Sequence, residues 1–358
     1  MPHPAISRAE AFCDSYGLRV PILMAPMAGA CPPELAIAVA QAGGMGACGA
    51  LLMDRGGILD WTAKVRTATN GAFQMNLWIP DPEPARDAAH EAEVCAFLGQ
   101  FGPEVPVEAG DVTPPDFDAQ CQALLDAGPA AVSSIMGVYP PAFVAELKAR
   151  GIKWFATVTT VGEAREAEDA GADVIVAQGA EAGGHRGTFR AEDAEANMVG
   201  LFSLLPQVVD FVDVPVVATG GIGDARGVAA ALMLGASAVQ VGTALLPSDE
   251  AGIAPAWSDL IRGLYPEGTR PTRGFSGRLG RAVRTAYVEA VAKPGAPAPA
   301  PYPVQRGLTG EMRAAATQNN TIDGLQAWAG QSAGLARQAP AGEIITDLWD
   351  GARRLLLP

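Results

Sequence analysis

Eight short apolar runs alternate with helical stretches between residues 20 and 245, and this alternation constrains the fold more than any other feature. The runs are VPILMAPM, MGACGAL, FQMNLWI, AAVSSIM, KWFATVT, DVIVAQG, PVVATGG and AVQVGTAL. Their largely continuous apolar character is that of strands covered on both faces. Segments between them, such as PPELAIAVAQAG, PPAFVAELKARG and GEAREAEDAG, open near Pro or Gly and close on Gly, the punctuation of helices. Strands joined through helices pair in parallel by right-handed crossovers. Eight such units predict an α/β fold, a closed (β/α)8 TIM barrel, rather than an open doubly wound sheet.

At 358 residues the chain is long enough for such a barrel with material to spare. The expected division is a barrel over residues 1–250 and a helical extension on the substrate side over residues 251–358. Two segments interrupt the pattern. FGPEVPVEAGDVTPP (101–115) reads as a surface insertion before the fourth strand. KPGAPAPAPYP (293–303) is a stiff Pro-rich linker, either a tether or a strap that carries the tail back over the barrel.

The function classes narrow with charge and cysteine usage. A net charge of -14 argues against nucleic acid or an anionic membrane as partner, because the average surface repels phosphates. Five cysteines, odd in number and without a C-x-x-C pair, support neither a disulfide framework nor a zinc site and suit a reducing cytoplasm. The N-terminus carries acids and no apolar core of a signal peptide. The uncharged stretch 228–246 splits into an Ala-rich helix, a glycine stop and a strand, so no transmembrane span is expected. A small-molecule substrate is the implied partner, and a homo-oligomer is compatible with the composition.

In a TIM barrel the reactive face lies at the C-terminal ends of the strands, and phosphate sites use the loops after strands seven and eight. Those loops read Thr219-Gly220-Gly221-Ile222-Gly223-Asp224 and Gln240-Val241-Gly242-Thr243. Glycines there let backbone N–H groups converge on phosphate oxygens, and a following helix adds its positive end. One such loop is as well explained by a tight turn; two on successive strands favour phosphate. Gly221, Gly223 and Gly227 imitate a dinucleotide fingerprint, but no acid ends the next strand, which weakens that reading.

One of three histidines, His185, sits in AQGAEAGGHRG after the sixth strand, on the same face as the phosphate loops. A neutral or protonated imidazole there serves as a base or as an electrostatic partner near neutral pH. A lone histidine in a glycine loop is usually a surface residue; its company with Gln178 and Glu181 at the reactive end favours function. His3, near a frayed terminus, and His90, on a solvated helix face, leave no metal-binding set. With no nucleophile elbow either, an organic, phosphate-bearing cofactor is the economical source of chemistry.

The blocks PILMAPMAGA, GGMGACGAL, FQMNLWIP, AQGAEAGGHRG, VVATGGIGDARGVAAALMLGASAVQVGTALL, FSGRLGRAVR, YPVQRGLT and WAGQSAGLAR together resemble the nitronate monooxygenases, FMN-dependent TIM barrels. The resemblance implies oxidation of alkyl nitronates, propionate-3-nitronate first among them, by O2 to a carbonyl compound and nitrite. It implies that Asn76, Gln178 and Gly183 line the FMN and that Ala25, Pro26 and Met27 pass beneath its ring. Gly220, Gly221 and the segment Gln240, Val241, Gly242 and Thr243 would hold the phosphate end, and His185 matches the catalytic histidine. FMN-dependent enoyl reductases and NADH:quinone reductases share much of the pattern, so an NAD(P)H-dependent FMN reductase acting on a quinone or enoyl thioester is the alternative. No lysine ends a strand on the reactive face, so amide or hydroxyl donors, Gln178 or Ser134 among them, are expected to meet the charge of reduced flavin.

Overall fold

The structure, a computed structural model, describes residues 3–357. Its central sheet has eight parallel strands: β1 (Ile22–Met24), β2 (Gly46–Gly49), β3 (Phe73–Trp78), β4 (Ala131–Ile135), β5 (Lys153–Val158), β6 (Val174–Gln178), β8 (Val216–Thr219) and β9 (Ala238–Val241). The order β1-β9-β8-β6-β5-β4-β3-β2 is closed by a parallel bridge between Leu23 and Met45. This is the TIM barrel that the eightfold alternation predicts. All eight sequence runs contain one of its strands, and the uncharged stretch splits into the helix Ala225–Met233 and β9 as expected. Among the described residues no helix is long and apolar enough to cross a membrane.

The bottom of the barrel is plugged. Helix Pro4–Tyr16 buries Phe12 and Cys13 against Leu23, Phe155, Val174 and Val217 of the barrel interior. His3, expected near a frayed end, instead caps this helix, its Nδ1 accepting the Ala5 N–H at 3.2 Å. With the bottom filled, only the strands' C-terminal end is left open for a ligand.

A second layer covers that end. β10 (Thr269–Thr272), β11 (Gly280–Val283) and β7 (Gly184–His185) form an antiparallel sheet in the order β10-β11-β7, so a piece of the β6 loop is paired with the C-terminal extension. The cover has its own apolar core, including Phe275, Tyr287, Val288, Val304 and Met312. Val94, Leu98 and Val105 from the β3–β4 connection join it, so the expected surface insertion is in part buried beneath the extension. The Pro-rich linker is a strap: His90 Nε2 lies 2.8 Å from the Ala298 carbonyl, and a Cβ on Gly277 would come within 2.5 Å of Tyr302 N.

The extension divides in two. Its last helix, Ala341–Leu356, buries Ile344, Ile345, Leu348 and Ala352 in the same core as the barrel strands and the helix Ala225–Met233. It thus completes the barrel's outer wall, while the cover comes from the chain before it.

Candidate active site

Between barrel and cover lies a cavity of about 690 Å3, well within the range of small-molecule and cofactor sites. Of the residues that the family resemblance assigns to FMN or to catalysis, all but Val241 face it, while Glu181 and Ser134 do not. Val241 is buried in the apolar core, and its carbonyl accepts the Ala25 N–H at 2.8 Å, which fixes the loop Ala25, Pro26 and Met27 across the barrel mouth.

The ends of β8 and β9 carry donors that the protein leaves unused. Gly220 and Gly221 adopt φ of 103° and 73°, the left-handed backbone that glycine takes at no steric cost. The turn aims the N–H groups of Gly221, Ile222 and Gly223 away from the strand ladder. None of these, nor the Gly242 N–H, donates to a protein acceptor among the described residues. Unclaimed backbone donors ahead of a helix are available to an anion. Ser332 of the cover donates to the Gly221 carbonyl at 2.6 Å and Gly330 N–H donates to Thr243 Oγ1 at 3.0 Å, so the cover braces both loops and Thr243 keeps its own hydroxyl proton to donate.

The deeper wall is polar and tied across strands. Asn76 Nδ2 donates to Ser133 Oγ at 3.1 Å, and Gln74 Nε2 donates to Gln240 Oε1 at 3.0 Å. Gln178 is largely occupied by its own loop: Nε2 donates to the His185 carbonyl at 3.0 Å, and Oε1 accepts the Gly187 N–H at 2.8 Å. Ser134, expected as a donor to the cofactor, does not line the cavity; its hydroxyl accepts the Trp154 indole N–H at 3.0 Å.

His185 is held rigidly. It pairs with Gly280 of β11, and Arg186 N–H donates to the Leu279 carbonyl at 2.8 Å. The Arg186 guanidinium reaches the Gln178 and Asn197 carbonyls at 2.6 and 2.7 Å. Gly183 is required for the approach, since a Cβ there would sit 2.5 Å from Gly330 N and 2.6 Å from the Ala329 carbonyl carbon. The imidazole lies between Trp78 and Trp328, with ring centroids 4.6 and 4.8 Å away and edge-on. Its Nε2 is 2.7 Å from Ser276 Oγ, and among the described residues Nδ1 has no partner. Burial, and then the positive charges of Arg306 and Arg278, push its pKa down to about 3. At neutral pH the ring is therefore uncharged.

Five further residues complete this chamber and escaped the sequence reading: Trp78, Ser276, Tyr302, Arg306 and Trp328, all facing the cavity. The last four come from the cover. They lie within or beside the blocks FSGRLGRAVR, YPVQRGLT and WAGQSAGLAR, so the segments were visible but not which side chain each turns inward. Arg306 is the distinctive one. Its guanidinium makes no ion pair within 4 Å among the described residues, although burial lowers its pKa. A cation taken partly out of water without a carboxylate partner calls for an anion from outside.

A TIM barrel plugged at one end, with unclaimed backbone donors and a desolvated histidine at the other, is built to hold a ligand at its open end. The chain belongs to the nitronate monooxygenase family, whose model, described as "Nitronate monooxygenase", matches residues 10–351. It is 37% identical to the nitronate monooxygenase of Paraburkholderia phytofirmans over 95% of this chain and 94% of the relative. It is likewise 37% identical to that of Pseudomonas aeruginosa, over 96% of this chain and 99% of the relative. Among solved structures, a nitroalkane oxidase from Streptomyces ansochromogenes superposes with a TM-score of 0.88 at 36% identity, covering 96% of this chain and 98% of that one. FabK from Thermotoga maritima follows the same fold with a TM-score of 0.75 at 27% identity, over 97% of this chain and 96% of that one.

Proposed function

We propose that the protein is an FMN-dependent nitronate monooxygenase that oxidises alkyl nitronates with O2, releasing a carbonyl compound and nitrite. The observation that carries this reading is the pairing of an uncharged His185 with an ion-pair-free Arg306 in one chamber. A nitronate is an anion, and Arg306 supplies the charge that it needs. The unpaired Nδ1 of His185, as N–H or lone pair according to the tautomer, orients what lies beside it. A neutral nitroalkane would need a proton removed by a base, and an imidazole with its pKa near 3 is poorly matched to that task.

The residues fit FMN. The cradle of Gly221, Ile222, Gly223 and Gly242 would take its phosphate, with the Thr243 hydroxyl as an added donor; the loop Ala25, Pro26 and Met27 would underlie the ring, and Asn76, Gln178 and Gly183 would border it. Bound there, the flavin would accept electrons from the nitronate and pass them to oxygen. The aromatic walls Trp78, Tyr302 and Trp328 exclude bulk water, which strengthens the charge of Arg306.

Propionate-3-nitronate is the first substrate to test. The FMN-loaded enzyme should consume oxygen and release nitrite with it; oxygen uptake at the enzyme-free rate, with flavin bound, would end this reading. Anaerobic NADH or NADPH should leave the flavin yellow, and rapid bleaching would shift the reading to a reductase.

A further inference from the structure

The cavity does not end at Arg306. It continues outward along one face of the helix Gly310–Gln318, where Gly310, Arg313, Ala314 and Thr317 line it. Trp257, Ile253 and Leu325 form an apolar side of this outer arm. None of these residues is among those that would hold the flavin, and nothing in the proposed reaction uses them.

Arg313 dominates the arm. Its Nε donates to Thr309 Oγ1 at 3.1 Å, NH2 to the Arg306 carbonyl at 2.8 Å and NH1 to Gln326 Oε1 at 3.3 Å. All three acceptors are neutral, and a guanidinium has five N–H donors, so two remain. No carboxylate lies within 4 Å of it among the described residues. Burial, and next the neighbouring charge of Arg306, push its pKa down to about 10. The hydrogen bonds hold the fork in place while leaving its charge uncompensated, the state in which a guanidinium takes an oxyanion strongly.

One cation, Arg306, stands beside His185, and a second, Arg313, on the following helix, lines the same cavity as the apolar Trp257, Ile253 and Leu325. We propose that Arg313 and the outer arm form a subsite for a distal carboxylate, so that the preferred substrate is a nitronate whose carbon chain is longer than three atoms and ends in a second acid. The chain lies against Trp257, Ile253 and Leu325 while the acid reaches Arg313. This rests on the nitronate reading of the inner chamber and adds to it the class of molecule.

The test uses the FMN-loaded enzyme and nitronates of 3-nitropropanoate, 4-nitrobutanoate, 5-nitropentanoate and 6-nitrohexanoate, with the nitronate of 1-nitropentane as an uncharged-tail control. KM should fall at least tenfold from the three-carbon acid to the best longer one, and the control should show no such gain. Arg313→Gln should erase the chain-length preference, and Arg313→Lys should restore part of it; flavin content and circular dichroism check that each variant is folded. A KM that is lowest for the three-carbon acid, or an equal gain with the uncharged tail, would overturn the subsite. A second arm needs no turnover. Saturated dicarboxylates from glutarate to suberate should perturb the flavin absorbance of the wild type at progressively lower concentration, and a response independent of length would count equally against the proposal. If no nitronate is oxidised while the dicarboxylates still bind with this length dependence, the nitronate reading fails and the subsite stands.

Discussion

The barrel mouth and the cover contribute to the same cavity by different chemistry. The mouth presents backbone: unclaimed glycine N–H groups at the ends of β8, where Gly220 and Gly221 take left-handed φ, and of β9. The cover presents side chains: Ser276 on His185, the strap residue Tyr302, the two arginines of helices Val304–Leu308 and Gly310–Gln318, and Trp328. The difference teaches that a group common to many ligands, such as a phosphate, would be met by main chain, whereas what distinguishes one substrate from another would be met by replaceable side chains. It also separates two electrostatic regimes, since a chain of net charge -14 keeps two arginines without ion pairs in its cavity.

The largest break of this comparison is at the mouth. Gly221→Asp places a carboxylate and a Cβ at a φ of 73°, where a side chain is strained and the charge repels phosphate. Purified protein should be colourless and inactive; a full flavin complement would remove the cradle from these loops. Next is His185→Asn, at the seam of the two regions. Flavin should remain and nitronate turnover should fall by roughly ten- to hundredfold, the loss of a hydrogen bond to an anion worth about 1.5–3 kcal/mol, read as oxygen uptake. Activity within about twofold of wild type would make the histidine structural.

The cover's own contribution is smaller. Ser276→Ala removes a 2.7 Å bond to Nε2 of His185, worth about 0.5–1.5 kcal/mol, so kcat/KM should drop by roughly three- to tenfold with flavin unchanged. Gly183→Ala sharpens the comparison from the packing side. Its Cβ would meet the backbone of Ala329 and Gly330, and a melting curve should show about 1–3 kcal/mol of destabilisation from overpacking, with loss of activity as the cover lifts.

Last comes pH. His185 has a folded pKa lowered from 6.5 to about 3, so between these values the unfolded chain binds more protons than the folded one. This group's contribution favours folding above about pH 6.5 and is lost as pH falls towards 3. His185→Asn should therefore lose less stability than wild type over that window in denaturant titrations. Equal acid sensitivity of the two proteins would mean that the imidazole is not desolvated.

Much was legible in the sequence. The βα alternation needs only local periodicity, because a strand covered on both sides is apolar along its length and helices announce their ends with Pro and Gly. The two glycine loops were legible for the same reason: Thr219 to Gly223 and Gln240 to Thr243 lie at strand ends, where the cavity opens. Where side chains act on partners distant in sequence, the reading failed. Ser134 was expected beside the cofactor and instead receives the Trp154 indole, and Val241 faces the core; a one-residue change of register along a strand reverses the face, and the sequence does not mark it.

By itself, then, the sequence determined the barrel and the place of His185 after its sixth strand, since each follows from the order of residues along one or two adjacent elements. Only the tertiary structure decided that His185 is an uncharged ring between Trp78 and Trp328, that β11 fixes it, and that Arg306 and Arg313 face the cavity without ion pairs. Those properties depend on dielectric surroundings and on contacts between residues about a hundred or more positions apart. Desolvation and charge pairing are set by what packs around a group in space, and no local pattern encodes them.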